Sequence, residues 1–272
     1  MTTINADFTD DDLALFAHSG ATPLPADAVV GSLHHAGASI WHASFGSGPT
    51  VILLHGGLGN AGNWGHQIRP LREAGYRVVV VDTRGHGRST RDDQRYTYHL
   101  LASDVLAVMD SLDIATAALI GWSDGACTAL VLADQHPERV SGVFFFACNM
   151  DPSGTLPFVP TPVIDNCFAR HKADYAALSA TPDDFDAFVE AVGSMQRTEP
   201  NYSATDLAAI RVPVTIVHST GDEFIRPEHA AYLAATIPGA RLVTLDGVTH
   251  FAPLQRPAVF NAALLDFLAA RS

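Results

Sequence analysis

The sequence predicts an α/β fold with a mostly parallel central sheet, flanking helices and a helical insertion in its second half. Three observations predict it. Short, continuous apolar runs recur along the chain, as strands buried on both faces of a parallel sheet do. Longer stretches of helical periodicity separate them, and such alternation implies right-handed crossovers. From Met150 to Ala209 no strand pattern appears at all.

Element by element, "GASIWHASFG" and "PTVILLHG" read as strands near the N-terminus. "YRVVVVD" (76–82) and "AALIGWS" (117–123) follow, then "VSGVFFFACN" (140–149), "VPVTIVHS" (212–219) and "ARLVTLDG" (240–247). Between them, "HLLASDVLAVMDSL" (99–112) places Leu101, Val105, Val108 and Leu112 on one helical face. "ACTALVLADQHP" (126–137) ends at a proline, and "PEHAAYLAATIP" and "PAVFNAALLDFLAA" supply later helices. The strand-free stretch holds two amphipathic patterns, "TPVIDNCFARHKADYAALS" and "TPDDFDAFVEAVGSMQ". It is too long for an ordinary loop or crossover. The expected organisation is a core of residues 1–149 and 210–272, with a cap over the sheet at 150–209. Phe158, Phe168, Tyr175, Phe185, Phe188 and Met195 can line an apolar pocket, but such residues more often pack cap helices on one another, and none is assigned to binding.

Composition bounds the function. With 272 residues the chain suits one large domain, and its 47% hydrophobic and 17% charged residues suit a globular enzyme. A formal net charge of −13 argues against nucleic acid and anionic membrane as partners. The start "MTTINADFTDDDLALF" lacks a basic region and a long apolar run, so no secretory signal is expected. No apolar run approaches the ~20 residues of a membrane helix. Cys127, Cys148 and Cys167 form an odd set without metal spacing, read as reduced core thiols in the cytoplasm. No His/Asp/Glu cluster has metal-binding spacing either, and neither metal nor cofactor is expected.

Three motifs carry chemistry. Gly121-Trp122-Ser123-Asp124-Gly125 fits G-x-S-x-G between an apolar strand and a helix. The glycines make room for a strained turn that exposes the serine Oγ, and the free N–H groups of the next helix favour negative charge there. The run "VILLHGGLGNAGNW" (51–64) brings Gly-rich backbone close to a substrate oxyanion, with Gly57 or Leu58 as donor. The second donor is the N–H of Asp124, and His55 is expected to organise the loop. In "VVDTRGHGRS" (80–89), Asp82, Arg84 and His86 are read as structural, with Arg84 and His86 satisfying loop carbonyls.

Together, "HGGLGNAGNW", "DTRGHGRS", "GWSDGA", "HSTGDEFIRPEHA" and "GVTHF" resemble the α/β-hydrolase superfamily, in the same order and over nearly the whole chain. The resemblance implies a triad in the order Ser, acid, His. It points to Ser123 as nucleophile, Asp222 in the G-D-x-x-x-P context as acid, and His250 as base. Glu223 is expected to face solvent, and Asp151 competes with Asp222 as the acid. The implied activity is serine-dependent cleavage of a small-molecule carboxylic ester or lactone through an acyl-enzyme. A serine in the elbow argues against haloalkane dehalogenases and epoxide hydrolases, whose nucleophile resembles an aspartate. "GWSDG" also resembles the elbow of valacyclovir hydrolase-like enzymes, which makes Asp124 a candidate receptor for a substrate ammonium group, as in amino esters or macrolide-type lactones. The competing reading has Asp124 interacting with the helix dipole. Cofactor-free lyases or dioxygenases and ligand receptors on the same scaffold remain alternatives.

Overall fold

A computed structural model describes residues 11–271 of the chain. Eight strands form one sheet: β1 (Val29–His35), β2 (Ala38–Phe45), β3 (Thr50–Leu54), β4 (Arg77–Val81), β5 (Ala117–Trp122), β6 (Val140–Phe146), β7 (Val214–Gly221) and β8 (Arg241–Thr249). Their order across the sheet is β1-β2-β4-β3-β5-β6-β7-β8. Among the described strands, β1/β2 and β2/β4 pair antiparallel and the others parallel. The helices are α1 (Asp11–Ser19), α2 (Gly65–Glu73), α3 (Tyr98–Ser111), α4 (Asp124–Gln135), α5 (Pro162–Leu178), α6 (Phe185–Thr198), α7 (Ala204–Ala209), α8 (Pro227–Thr236), α9 (Ala252–Gln255) and α10 (Pro257–Ala269).

Two apolar cores sandwich the sheet, and strand alternation divides residues between them. Ile52, Leu54, Val79 and Val81 pack on the side of α3 and α4, with Val105, Val108 and Leu130. Val51, Leu53, Val78 and Val80 pack on the other, with Ile68 of α2 and Phe260 and Leu264 of α10. Burial on both faces is why β3 and β4 read as unbroken apolar runs. Each fully buried Val, Leu or Ile contributes about 1.5–3 kcal/mol of transfer free energy.

Between β6 and β7 lie α5, α6 and α7, with no strand among them. Thr161 caps α5 by accepting from the Ile164 N–H, and Pro162 occupies the first helical position. Tyr175 of α5 and Phe188 and Val192 of α6 form a third apolar cluster, which Leu58 and Phe185 join. This small cluster seats the inserted helices on the loop after β3.

The ends of the elements place the site. The loops after β3, β5, β7 and β8 all face one cavity at the carboxyl edge of the sheet, where open α/β sheets bind ligands. No described helix is long and apolar enough to cross a membrane.

Candidate active site

Ser123 occupies the turn between β5 and α4 with φ 55° and ψ −124°. That left-handed conformation is costly for a residue with a side chain. It persists because the neighbours fix it. The Ser123 N–H donates to Phe146 O at 2.9 Å, and Ser123 O accepts from Ala126 N at 2.7 Å. A Cβ on Gly121 would stand 2.3 Å from Ala126 Cα, and one on Gly125 would stand 2.0 Å from Leu54 O. Both contacts are with backbone, so only glycine lets strand and helix approach this closely.

Asp222 and His250 meet although 28 positions separate them. Asp222 follows β7, and its Oδ1 accepts from His250 Nδ1 at 3.1 Å. The same oxygen accepts from Phe224 N at 2.9 Å and Ile225 N at 3.0 Å. Burial pushes this carboxyl up, but the charge and hydrogen bond of His250 and the two backbone bonds outweigh it, and the group is held below its ordinary range. His250 and Ser123 both stand on the cavity wall.

The two neighbouring acids behave differently. Glu223 is half-buried, not turned to solvent as the sequence suggested. Its Oε2 accepts the His250 backbone N–H at 2.9 Å, so it holds the loop that carries the imidazole. Asp151, the competing acid, caps a short turn by accepting from Ser153 N at 2.9 Å. It approaches His229 rather than His250.

The loop after β3 is built around a buried histidine. His55 Nδ1 donates to Gly56 O at 2.8 Å, while Nε2 accepts from Thr83 N at 3.1 Å. Burial lowers its pKa, which suits the neutral tautomer those bonds require. Asp82 accepts from Ala61 N and Arg88 N and pins the same loop from below. Arg84 reaches His35 O and Ala36 O, as the sequence suggested, and also forms a buried two-pronged pair with Asp104. Among the described residues, the N–H groups of Gly57, Leu58 and Asp124 find no intramolecular acceptor, and all three residues line the cavity.

The Asp124 carboxylate is the least foreseeable part of the site. It is buried, with Oδ1 accepting from Tyr98 O–H at 2.8 Å and Oδ2 from Gln196 Nε2 at 2.9 Å. Burial raises its pKa, and the bonds from Tyr98 and Gln196 with the charge of His250 only partly oppose that. Tyr98 opens α3, and Gln196 comes from α6. Gly57 lies directly beneath the second bond, since a Cβ there would stand 2.6 Å from Asp124 Oδ2 and 2.7 Å from Gln196 Nε2. Neither Tyr98 nor Gln196 carries a motif in the sequence.

The cavity enclosed by these groups has a volume of about 1010 Å³. Phe158, Phe168 and Phe185 line it. Tyr175, Phe188 and Met195 are buried among helices as expected. Among the described residues, no three His, Cys, Asp or Glu side chains are grouped to hold a metal ion.

A family model described as the alpha/beta hydrolase fold matches residues 49–198, more than half of the chain. The chain belongs to the alpha/beta-hydrolase fold family. It is an enzyme of that hydrolase superfamily, and the loops bearing Ser123, Asp222 and His250 occupy the strand ends described above. It is 28% identical over 258 residues to 2-hydroxy-6-oxononadienedioate/2-hydroxy-6-oxononatrienedioate hydrolase 2 of Pseudomonas putida, covering 80% of this chain and 87% of that one. It is 43% identical over 137 residues to epoxide hydrolase B of Mycobacterium tuberculosis, covering 50% of this chain and 37% of that one. Among solved structures, Est816, described as an N-acyl homoserine lactone degrading enzyme, superimposes with a TM-score of 0.69 at 27% identity. That match covers 87% of this chain and 100% of Est816.

Proposed function

We propose that this hydrolase cleaves a carboxylic ester or lactone with Ser123 as nucleophile. The observation that carries the reading is the 3.1 Å contact from His250 Nδ1 to Asp222 Oδ1, with Ser123 held at positive φ on the same cavity. Ser123 Oγ attacks the carbonyl carbon while His250 takes its proton. Ionised Asp222 holds the imidazole and stabilises its charged form. The N–H groups of Asp124 and of Gly57 or Leu58 donate to the oxyanion. His250 then protonates the leaving oxygen, an acyl-enzyme remains, and water activated by His250 releases the acid. As written, the cycle uses no cofactor. Residues 150–209 act as the cap of this site.

The relatives support hydrolysis in general. Est816 supports the lactone side of the reading, whereas the epoxide hydrolase match spans only half of the chain. A fluorophosphonate probe tests the proposal. Wild type is expected to label at one site and Ser123→Ala not at all, with ester turnover lost in the same variant. Labelling that persists in Ser123→Ala would overturn the assignment. Labelling without hydrolysis of any ester or lactone would favour a cofactor-free lyase, a dioxygenase or a ligand receptor.

One observation favours a second, narrower reading. Asp124 is a buried carboxylate on the cavity wall whose protein partners, Tyr98 and Gln196, are neutral donors. A substrate ammonium group would supply the missing positive charge. Asp124→Asn should then weaken turnover of amino esters more than that of matched neutral esters, and equal losses would count against it.

A further inference from the structure

The cavity has two unlike walls. One carries Asp124, Tyr98 and Gln196, whose polar atoms bond to one another beside Gly57. The other is aromatic and surrounds His250. Phe224 meets the imidazole edge-on at a centroid distance of 4.7 Å. Phe224 in turn stacks on Phe158 at 6.1 Å and 20°, and Phe158 stacks on Phe168 at 6.4 Å and 22°. Phe158 is 56% exposed, and its neighbour Val159 is 65% exposed. A strip of nearly parallel rings thus runs from the cavity rim to the base of the triad. The segment bearing Phe158 and Val159 lies just before α5 and carries Pro157 and Pro160, with Pro162 opening the helix itself.

The chemistry orients a substrate between these walls. The imidazole that accepts the Ser123 proton must return it to the leaving oxygen, so the alcohol part of an ester lies against His250. The carbonyl oxygen turns to the oxyanion donors, and the acyl chain is left to the remaining wall, that of Asp124 and Gln196. We infer that Phe158, Phe168 and Phe224 form a subsite for the alcohol part of the substrate, and that this alcohol is apolar, an arylmethyl or medium-chain alkyl group. A flat ring there stacks in the offset arrangement that aromatic pairs prefer, and an alkyl chain buries its surface against the same strip. Polar and hydrogen-bonding functions belong on the acyl side. The inference rests on the ester-hydrolase reading above.

A matrix of esters tests it, with kcat and KM measured separately. Methyl and benzyl alcohols are leaving groups of similar acidity, so methyl acetate, benzyl acetate and methyl phenylacetate vary bulk on each side with little change in the chemical step. Wild type is expected to favour benzyl acetate over methyl acetate by at least ~30-fold in kcat/KM, an amount of order one buried ring. It is also expected to favour benzyl acetate over methyl phenylacetate. Phe158→Ala and Phe168→Ala should each lower the benzyl-to-methyl ratio by about tenfold, mainly through KM. Phe158→Leu should fall between wild type and Phe158→Ala. A ratio unmoved in both alanine variants, or a preference for bulk on the acyl side, would overturn the subsite. A wild-type protein that neither labels with fluorophosphonate nor hydrolyses any ester would instead remove the parent reading, and the subsite with it.

Discussion

Replacing Asp222 by Asn isolates one interaction. The acid and imidazole side chains are 0% and 8% exposed, so solvent screens their interaction weakly. In the transition state of the proposed reaction His250 is positively charged, and Asp222, held below its ordinary range, is negative. Charges about 4 Å apart at an effective dielectric of about 20 attract by about 4 kcal/mol. Each ~1.4 kcal/mol is tenfold in rate, so Asp222→Asn should lower kcat roughly 10³-fold. The Asn carbonyl can still accept from the Phe224 and Ile225 N–H groups, so the fold should survive and the thermal midpoint should move little. The assay is steady-state ester hydrolysis, with Asp151→Asn and Glu223→Gln run in parallel. Both should lose far less, because Asp151 caps a turn and Glu223 holds only the His250 backbone N–H. A kcat for Asp222→Asn within tenfold of wild type would refute the reasoning, as would an equal loss in Asp151→Asn.

Two further predictions concern stability. Asp104→Ala leaves the Arg84 guanidinium buried without its two-pronged partner, and should cost about 3–5 kcal/mol by urea denaturation; a cost below 1 kcal/mol would contradict the burial of that pair. Burial lowers the His171 pKa from 6.5 to about 4. The unfolded chain therefore takes up this proton first, and the stability of the neutral ring, complete above pH 6.5, is lost as pH falls from 6.5 toward 4. That lowering corresponds to about 3 kcal/mol. His171→Gln should accordingly show a shallower fall in urea midpoint between pH 7 and 4.5, and identical slopes would refute the assignment.

What the sequence revealed depended on where each feature draws its energy. The strands at β3 and β4 were legible because both of their faces are buried, which leaves no polar residue to break the apolar run. The strand β1 was legible only through the alternation of His34 and His35, since "VVGSLHH" lies at the sheet edge with alternating, partly exposed positions. The helix α2 was missed, for it buries only Gln67, Ile68 and Leu71 and contains Pro70. The positions of Ser123, Asp222 and His250 were readable because each sits where a strand ends in a recognisable loop. Glu223 was misread because its partner is a backbone N–H, which leaves no mark in a side-chain pattern. Gln196 was beyond reach for a different reason, since 72 positions separate it from Asp124 and only the packing of α6 brings them together.

The bond from Gln196 to Asp124 makes the seating of α6 depend on a proton. With Asp124 ionised, a hydrogen bond to it is worth about 1.5–3 kcal/mol, against about 0.5–1.5 kcal/mol between neutral groups. Because the Asp124 pKa is raised, acidification weakens this tether sooner than it would at an ordinary carboxylate. The same residue supplies a backbone N–H beside Ser123 and a side chain that grips the helix overhead. One carboxyl group thus links the polarity of the cavity wall to the seating of α6.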